Sequence, residues 1–301
     1  MKPPTTRQQK IAAVFNSEIW PLFPGRAAEL LLRSLPATPA RVAFEVGCAS
    51  GKLSLDVAAR LGPQGHVIAI DGSPPLVELA EAEKSKEKAK RSDARKAPVS
   101  STPAAKTTSD AAPELNVSFH VGDAIPPFPV EDGECDLVFS NLTLSEAPDP
   151  VSALGDLARC LNRGGTLLAT FPMRGCWGEF LDLYRDVLTE QHKGYALATL
   201  RSYQHTLPDP AGAARWLESA GLINVSVETM RWELLFKSAR EFFFSPVVEM
   251  GPLATWKQIA GGRGDEMQDV FFFVKEAIDA YFSGGPFPLT MVVGCLKGEK
   301  P

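Results

Sequence analysis

No apolar run in this chain approaches the roughly 18 residues that cross a bilayer as a helix, which argues against an integral membrane segment. The opening stretch MKPPTTRQQKIAAVF lacks the apolar core and small-residue cleavage site of a secretory leader, so a cytoplasmic location is the default expectation. Histidine is scarce, at four residues, and the five cysteines (Cys48, Cys135, Cys160, Cys176 and Cys295) include no CxxC pair. An odd count at wide spacing argues against a disulfide framework and against a zinc site. The thiols read as buried small hydrophobes, and no metal is expected. Positive charge is also short: 31 Lys and Arg face 36 Asp and Glu, for a net charge of −5 over 301 residues. An acidic body is a poor partner for nucleic acid.

What the chain does have is alternation. Short apolar runs at 42–46, 66–70, 117–121, 135–140 and 166–171 are separated by stretches with helical patterning at 53–61, 75–83 and 151–161. Strands alternating with helices imply βαβ units, hence a doubly wound, mostly parallel sheet of the α/β class. Residues 1–39 read as a helical N-terminal segment, two helices joined by the aromatic, proline-rich junction around Trp20-Pro21 and Phe23-Pro24-Gly25. The main domain spans 40–301. Aromatic, helical insertions at 174–207 and 238–286 read as a cap, with a strand near 222–229 and a last strand at 287–296. Residues 84–115 hold almost no bulky apolar side chain, and residues 83–115 carry eight Lys and Arg against five Asp and Glu, leaving −8 for the rest. Such a segment cannot offset its own ordering entropy and is expected to be a disordered insertion, its first part continuing the helix from Pro75 to about Arg91. Its basic character makes it a candidate docking segment for a protein partner.

Four pieces should gather at the carboxyl ends of the strands, where doubly wound sheets bind ligands. The first is EVGCASG, residues 45–51, in which Gly47 and Gly51 permit a tight turn and close approach of the backbone, including that of Cys48. Ala49 stands where a third glycine would fit, and costs little provided its φ stays negative. The second is Asp71-Gly72, closing the run HVIAID; an acid twenty residues beyond Gly51 can accept both hydroxyls of a ribose. The third, Asp123-Ala124, can accept from an adenine amino group. The fourth is SNLTLSEA, 140–147, in which Asn141 and Leu142 would lie near a reaction centre. Glu45 argues against a pyrophosphate, which it would repel, and suits a cationic ligand.

These stretches, together with VIAIDGSPPLVELA, HVGDAIPPFPVEDGECDLVFSNLTL and LNRGGTLLATFP, resemble the class I S-adenosylmethionine-dependent methyltransferases of type 11 over about 40–172. The resemblance implies a Rossmann-like fold of seven strands, the last antiparallel and formed by FPLTMVVGCL, and S-adenosylmethionine as cofactor. It places Glu45, Gly47, Cys48 and Gly51 around the methionine moiety, Asp71 and Gly72 at the ribose, Asp123 and Ala124 at adenine, and Asn141 with Leu142 beside the sulfonium. SNLTLSEAPDPVSALGDLARCLNRGGTLLATFP is similar to the branch containing the malonyl-acyl carrier protein methyltransferase of biotin synthesis. That branch often has an aromatic or Gln-Trp pair where this chain has Ser145-Glu146.

The expected function is methylation of oxygen or carbon on a small-molecule or lipid-like acceptor. The alternatives are a non-catalytic cofactor-binding assembly protein and a malonyl-acyl carrier protein O-methyltransferase. A base is needed only where the acceptor must lose a proton. Glu146, His192 and His205 are the candidates, with Tyr195 and Tyr203 as orienting groups.

Overall fold

A computed structural model describes residues 5–96, 115–262 and 264–301 of the chain, the side chains of 93–96 excepted. Its centre is a seven-stranded sheet. The strands are β1 (Val42–Val46), β2 (His66–Asp71), β3 (Val117–Val121), β4 (Cys135–Asn141), β5 (Leu161–Pro172), β6 (Ile223–Phe236) and β7 (Phe287–Glu299), in the order β3-β2-β1-β4-β5-β7-β6. The pairs from β3 to β5 are parallel, whereas β7 runs antiparallel to both β5 and β6. FPLTMVVGCL is thus the antiparallel strand, as the resemblance implies.

Side-chain alternation divides the sheet between two cores. Ala43, Leu137 and Phe139 join one apolar cluster, while Phe44, Val138 and Leu167 join the other. Both faces are therefore covered, which is why the central strands read as continuous apolar runs. On the Phe44 face, α5 (Pro150–Cys160) and α8 (Pro210–Ser219) pack through Leu154, Leu157, Ala213 and Leu217. The other face is covered by α2 (Pro24–Arg33), α3 (Lys52–Leu61), α4 (Pro74–Lys96) and α6 (Gly178–Glu190).

The N-terminal segment begins with α1 (Thr6–Val14), capped by Thr5 and Gln8 in a reciprocal capping box. A π-helical turn, Phe15–Ile19, follows, and the aromatic junction leads into α2 at Pro24. The cap consists of α6, α7 (Gly194–Thr206), α9 (Ala239–Phe244), α10 (Pro246–Glu249), α11 (Leu253–Ile259) and α12 (Asp265–Tyr281). It is fastened by ring packing: Phe180 stacks on Trp256 at 3.9 Å between centroids, and Phe242 sits 5.2 Å from both Phe180 and Phe287 of β7.

The segment expected to be disordered from 84 is helical for longer than anticipated, since α4 reaches Lys96. Its Lys, Glu and Ala residues are strong helix formers, and pairs such as Lys86–Glu83 (2.8 Å) and Arg91–Glu87 (3.0 Å) add local support. The remainder of that expectation, 97–114, lies outside the described residues. Likewise β6 is longer than the strand read at 222–229, because its second half pairs with β7 as far as Phe236. Among the described residues no helix is long and apolar enough to cross a membrane.

Candidate functional site

The chain leaves β1 at Val46 and turns sharply. Gly47 has φ +81, and both its N–H and that of Cys48 donate to the Ile70 carbonyl, at 2.8 and 3.0 Å. A Cβ at Gly47 would lie 1.9 Å from Thr143 Oγ1, so glycine here lets the segment after β4 close against the turn. Gly51, at φ +76, caps α3, and a Cβ there would meet Phe119 and Ala80 at 2.6–2.8 Å. Both glycines are thus required by packing as well as by the turn. Ala49 does not keep the negative φ assumed for it: it is left-handed at +48, held by its N–H donating to Asp71 Oδ2 at 2.9 Å. Its alanine therefore carries strain.

Asp71 ends β2 and takes a second N–H, from Ser73, on Oδ1 at 2.8 Å. Each carboxylate oxygen keeps accepting capacity for a ligand hydroxyl. Burial raises the Asp71 pKa, and the two backbone donors oppose that. Glu45, 1% exposed, accepts a short hydrogen bond from Ser54 Oγ of α3. Its burial pushes it up to about 8; Ser54 lowers it and Asp71 adds repulsion. A bound ammonium would restore its charge, so a carboxyl group held at this point fits a cationic ligand. Cys48 lies beside these acids, and burial raises its thiol pKa well above the usual range. It can serve a ligand through its backbone and not as a thiolate.

Asn141 ends β4. Its side-chain amide donates to the Pro24 carbonyl at 3.0 Å and its Oδ1 accepts from Thr170 Oγ1 at 2.8 Å. The residue thereby pins the start of α2 over the strand ends. Leu142 follows with φ +64. Asp123 is exposed, and its Oδ1 lies 3.8 Å from where a Cβ on Gly72 would stand, so the loops after β2 and β3 do meet.

One cavity of about 570 Å³ joins these groups. Glu45, Gly47, Cys48, Ala49, Asp71, Asn141, Leu142 and Glu146 line it; Gly51, Gly72, Asp123 and Ala124 do not. Of the three candidate bases only Glu146 reaches it. His192 is exposed at the C-terminal end of α6 with φ +54, and His205 is exposed with Nδ1 2.6 Å from the Arg201 carbonyl oxygen of its own helix. Tyr195 is 86% exposed and outside, whereas Tyr203 lines the cavity. The cap read at 174–207 and 238–286 does supply apolar wall, through Trp177, Val247 and Met250, whereas sequence reasoning missed Phe15, Ile19, Trp20 and Phe23 of the N-terminal segment and Trp216 of α8. The one available signal was the junction around Trp20 and Phe23, whose aromatics do not follow a single helical face.

A family model described as a methyltransferase domain matches residues 44–169. The chain is 26% identical over 195 residues to the demethylmenaquinone methyltransferase of Lactococcus lactis subsp. lactis (strain IL1403), covering 62% of this chain and 67% of that protein. It is 29% identical over 143 residues to an uncharacterized 37.1 kDa protein in transposon TN4556 of Streptomyces fradiae, covering 48% of this chain but only 33% of that one. Among solved structures, the YcgJ protein of Bacillus subtilis superposes with a TM-score of 0.53 at 14% identity, over 92% of this chain and 98% of that one. A Bacillus halodurans C-125 structure gives 0.53 at 17% identity, over 92% and 99%. At these identities the structural likeness is one of fold. Sheet order and loop geometry define the class I methyltransferase fold. The sequence match points the same way: residues 44–169 match a methyltransferase domain.

Proposed function

We propose that this protein transfers the methyl group of S-adenosylmethionine to a small, largely apolar acceptor at oxygen or carbon. The observation that carries this reading is the continuity of the cavity. Its polar end holds Glu45 and Asp71, and its other walls are Trp20, Phe23, Trp177, Trp216, Val247 and Met250. S-adenosylmethionine, when bound, supplies a methyl group already activated by positive sulfur. The chain's own part is to seat the donor, orient the acceptor and exclude water.

Glu45 would face the donor's ammonium, Asp71 the ribose hydroxyls, and Asp123 with Ala124 the adenine from the neighbouring loop. Gly47, Cys48 and Ala49 offer backbone, and Leu142 lies beside the methionine portion. The N-terminal segment shields this end, since Ser50 Oγ donates to Asn16 Oδ1 at 2.9 Å and Trp232 Nε1 to the Leu22 carbonyl at 3.1 Å. The name of the Lactococcus relative supports a small-molecule acceptor.

The test has two stages. Calorimetry should show micromolar binding of S-adenosylhomocysteine. S-adenosylmethionine bearing a deuterated methyl group, incubated with an organic extract of cells and the protein, should yield a labelled small molecule. If neither cofactor form binds, the reading fails. Binding with no labelled product from any extract would favour a non-catalytic role instead.

A further inference from the structure

We infer that the acceptor end of the cavity takes an uncharged molecule bearing a hydroxyl group, and turns away anions such as carboxylates and phosphate esters. This rests on the methyltransferase reading above and names its substrate class. Among the described residues, those lining the cavity include no Lys, Arg or His, while Glu45, Asp71 and Glu146 bring three carboxyl groups. Three cations adjacent to lining residues already have partners, Lys52 among them lying behind the Trp20 ring. Lys52 Nζ donates to the Asn16 carbonyl at 3.1 Å, Arg26 lies over the Trp232 ring, and Arg174 pairs with Asp209 at 3.0 Å.

An anionic acceptor would enter an aromatic-walled space with no counter-ion. Burying an unpaired charge is costly, and carboxylate or phosphate recognition ordinarily employs an arginine fork or a lysine. S-adenosylmethionine brings a single net positive charge, which does not outweigh three carboxyl groups. A malonyl or other carboxylate acceptor is therefore disfavoured by the lining itself.

The polar groups present suit a neutral hydroxyl. Tyr203 is half-buried in the wall of the cavity, and Trp256 Nε1 is buried with no hydrogen-bond partner among the described residues. Burial, with Cys176 and Glu146 nearby, pushes Tyr203 up to about 12, so it remains a neutral donor. Glu146 lies on the 3-10 turn Thr143–Glu146, close enough for its charge to act on Tyr203. Tyr203 thus positions an acceptor oxygen, and Glu146 takes the proton that the hydroxyl loses as its oxygen gains the methyl group. The electron pair of the broken carbon–sulfur bond stays on sulfur, so one positive charge is lost from the donor and one proton is gained by Glu146.

The inference is tested with 2-naphthol and 2-naphthoate, two probes sharing one ring system, titrated by calorimetry into the full chain saturated with S-adenosylhomocysteine near neutral pH. 2-Naphthol is expected to bind at least about tenfold more tightly. Glu146→Gln, which removes one repelling carboxylate, should narrow that gap severalfold by improving 2-naphthoate. Equal or tighter binding of 2-naphthoate, a gap that Glu146→Gln leaves unchanged, or no 2-naphthol binding by protein that does bind S-adenosylhomocysteine would each overturn it. Absence of S-adenosylhomocysteine binding would instead sink the methyltransferase reading, so the two failures are distinguishable.

Discussion

Ala49 occupies a backbone conformation that costs a residue with a Cβ about 1–2 kcal/mol. Replacing it with glycine removes that strain but adds unfolded-chain entropy of about 0.4–1 kcal/mol. Ala49→Gly should therefore raise stability by about 0.5–1 kcal/mol, seen as a higher urea midpoint at unchanged slope. Asp71→Ala removes the acceptor for Ala49 N–H together with the proposed ribose contact, and should weaken S-adenosylhomocysteine binding by about 1–3 kcal/mol in calorimetry. Glu45 supplies a pH dependence. Facing Ser54, Asp71 and Cys48 with a pKa of about 8, it holds its proton at neutral pH in the free protein. Its folded pKa lies above the ordinary carboxylate value. Its contribution to stability is thus full below about 4.5 and is lost as pH rises through about 8. An incoming ammonium displaces the proton, so cofactor affinity should rise by up to about tenfold per pH unit below 8 and level off above. Titrations at three pH values would read this, and Glu45→Gln should flatten the profile. That Glu45 and Asp71 share one cavity was legible because their spacing from the glycine turn is set by the βαβ unit, whereas Asp123 does not line it. The φ of Ala49 was not legible, because it depends on a hydrogen bond that its N–H donates to Asp71, 22 positions away. His192 and His205 failed as cavity residues for a related reason: residue type alone does not say which way a helix faces.

Helices and strands sort themselves by how local their causes are. The parallel strands were legible from apolar runs, and α8 has equally local causes in its Asp209 cap, Pro at its start and the left-handed Gly221 beyond it. The second half of β6 was not, since its backbone order comes from pairing with β7, some sixty residues later. Nor could the sequence reveal that the N-terminal segment roofs the cavity. That placement depends on Asn16 meeting Ser50 and Lys52, and on Pro24 meeting Asn141. Asn16→Ala should loosen the roof without unfolding it. Stopped-flow measurement should show S-adenosylhomocysteine leaving severalfold faster, while global stability falls by no more than about 1 kcal/mol.

Across the whole molecule, cap and sheet share one apolar cluster, in which Phe180, Phe242 and Trp256 are continuous with Phe287 and Leu289 of β7. Such continuity predicts a single cooperative unfolding transition, with tryptophan fluorescence and far-ultraviolet dichroism giving one midpoint. Trp256→Ala, by opening the centre of that cluster, should cost about 3–5 kcal/mol and lower both signals together. Two separate midpoints would show that the cap is an independent unit.

The position of β7 also sets an order of assembly. It is the last strand to be made, yet it lies between β5 and β6 and pairs with both. Until it arrives, the facing edges of those two strands have no partner, and the apolar residues beneath them stay uncovered. A nascent chain that has not yet reached Phe287 therefore holds an unfinished sheet, exposed to wrong pairings during the interval. Translation speed through β7 therefore bears on the yield of folded protein.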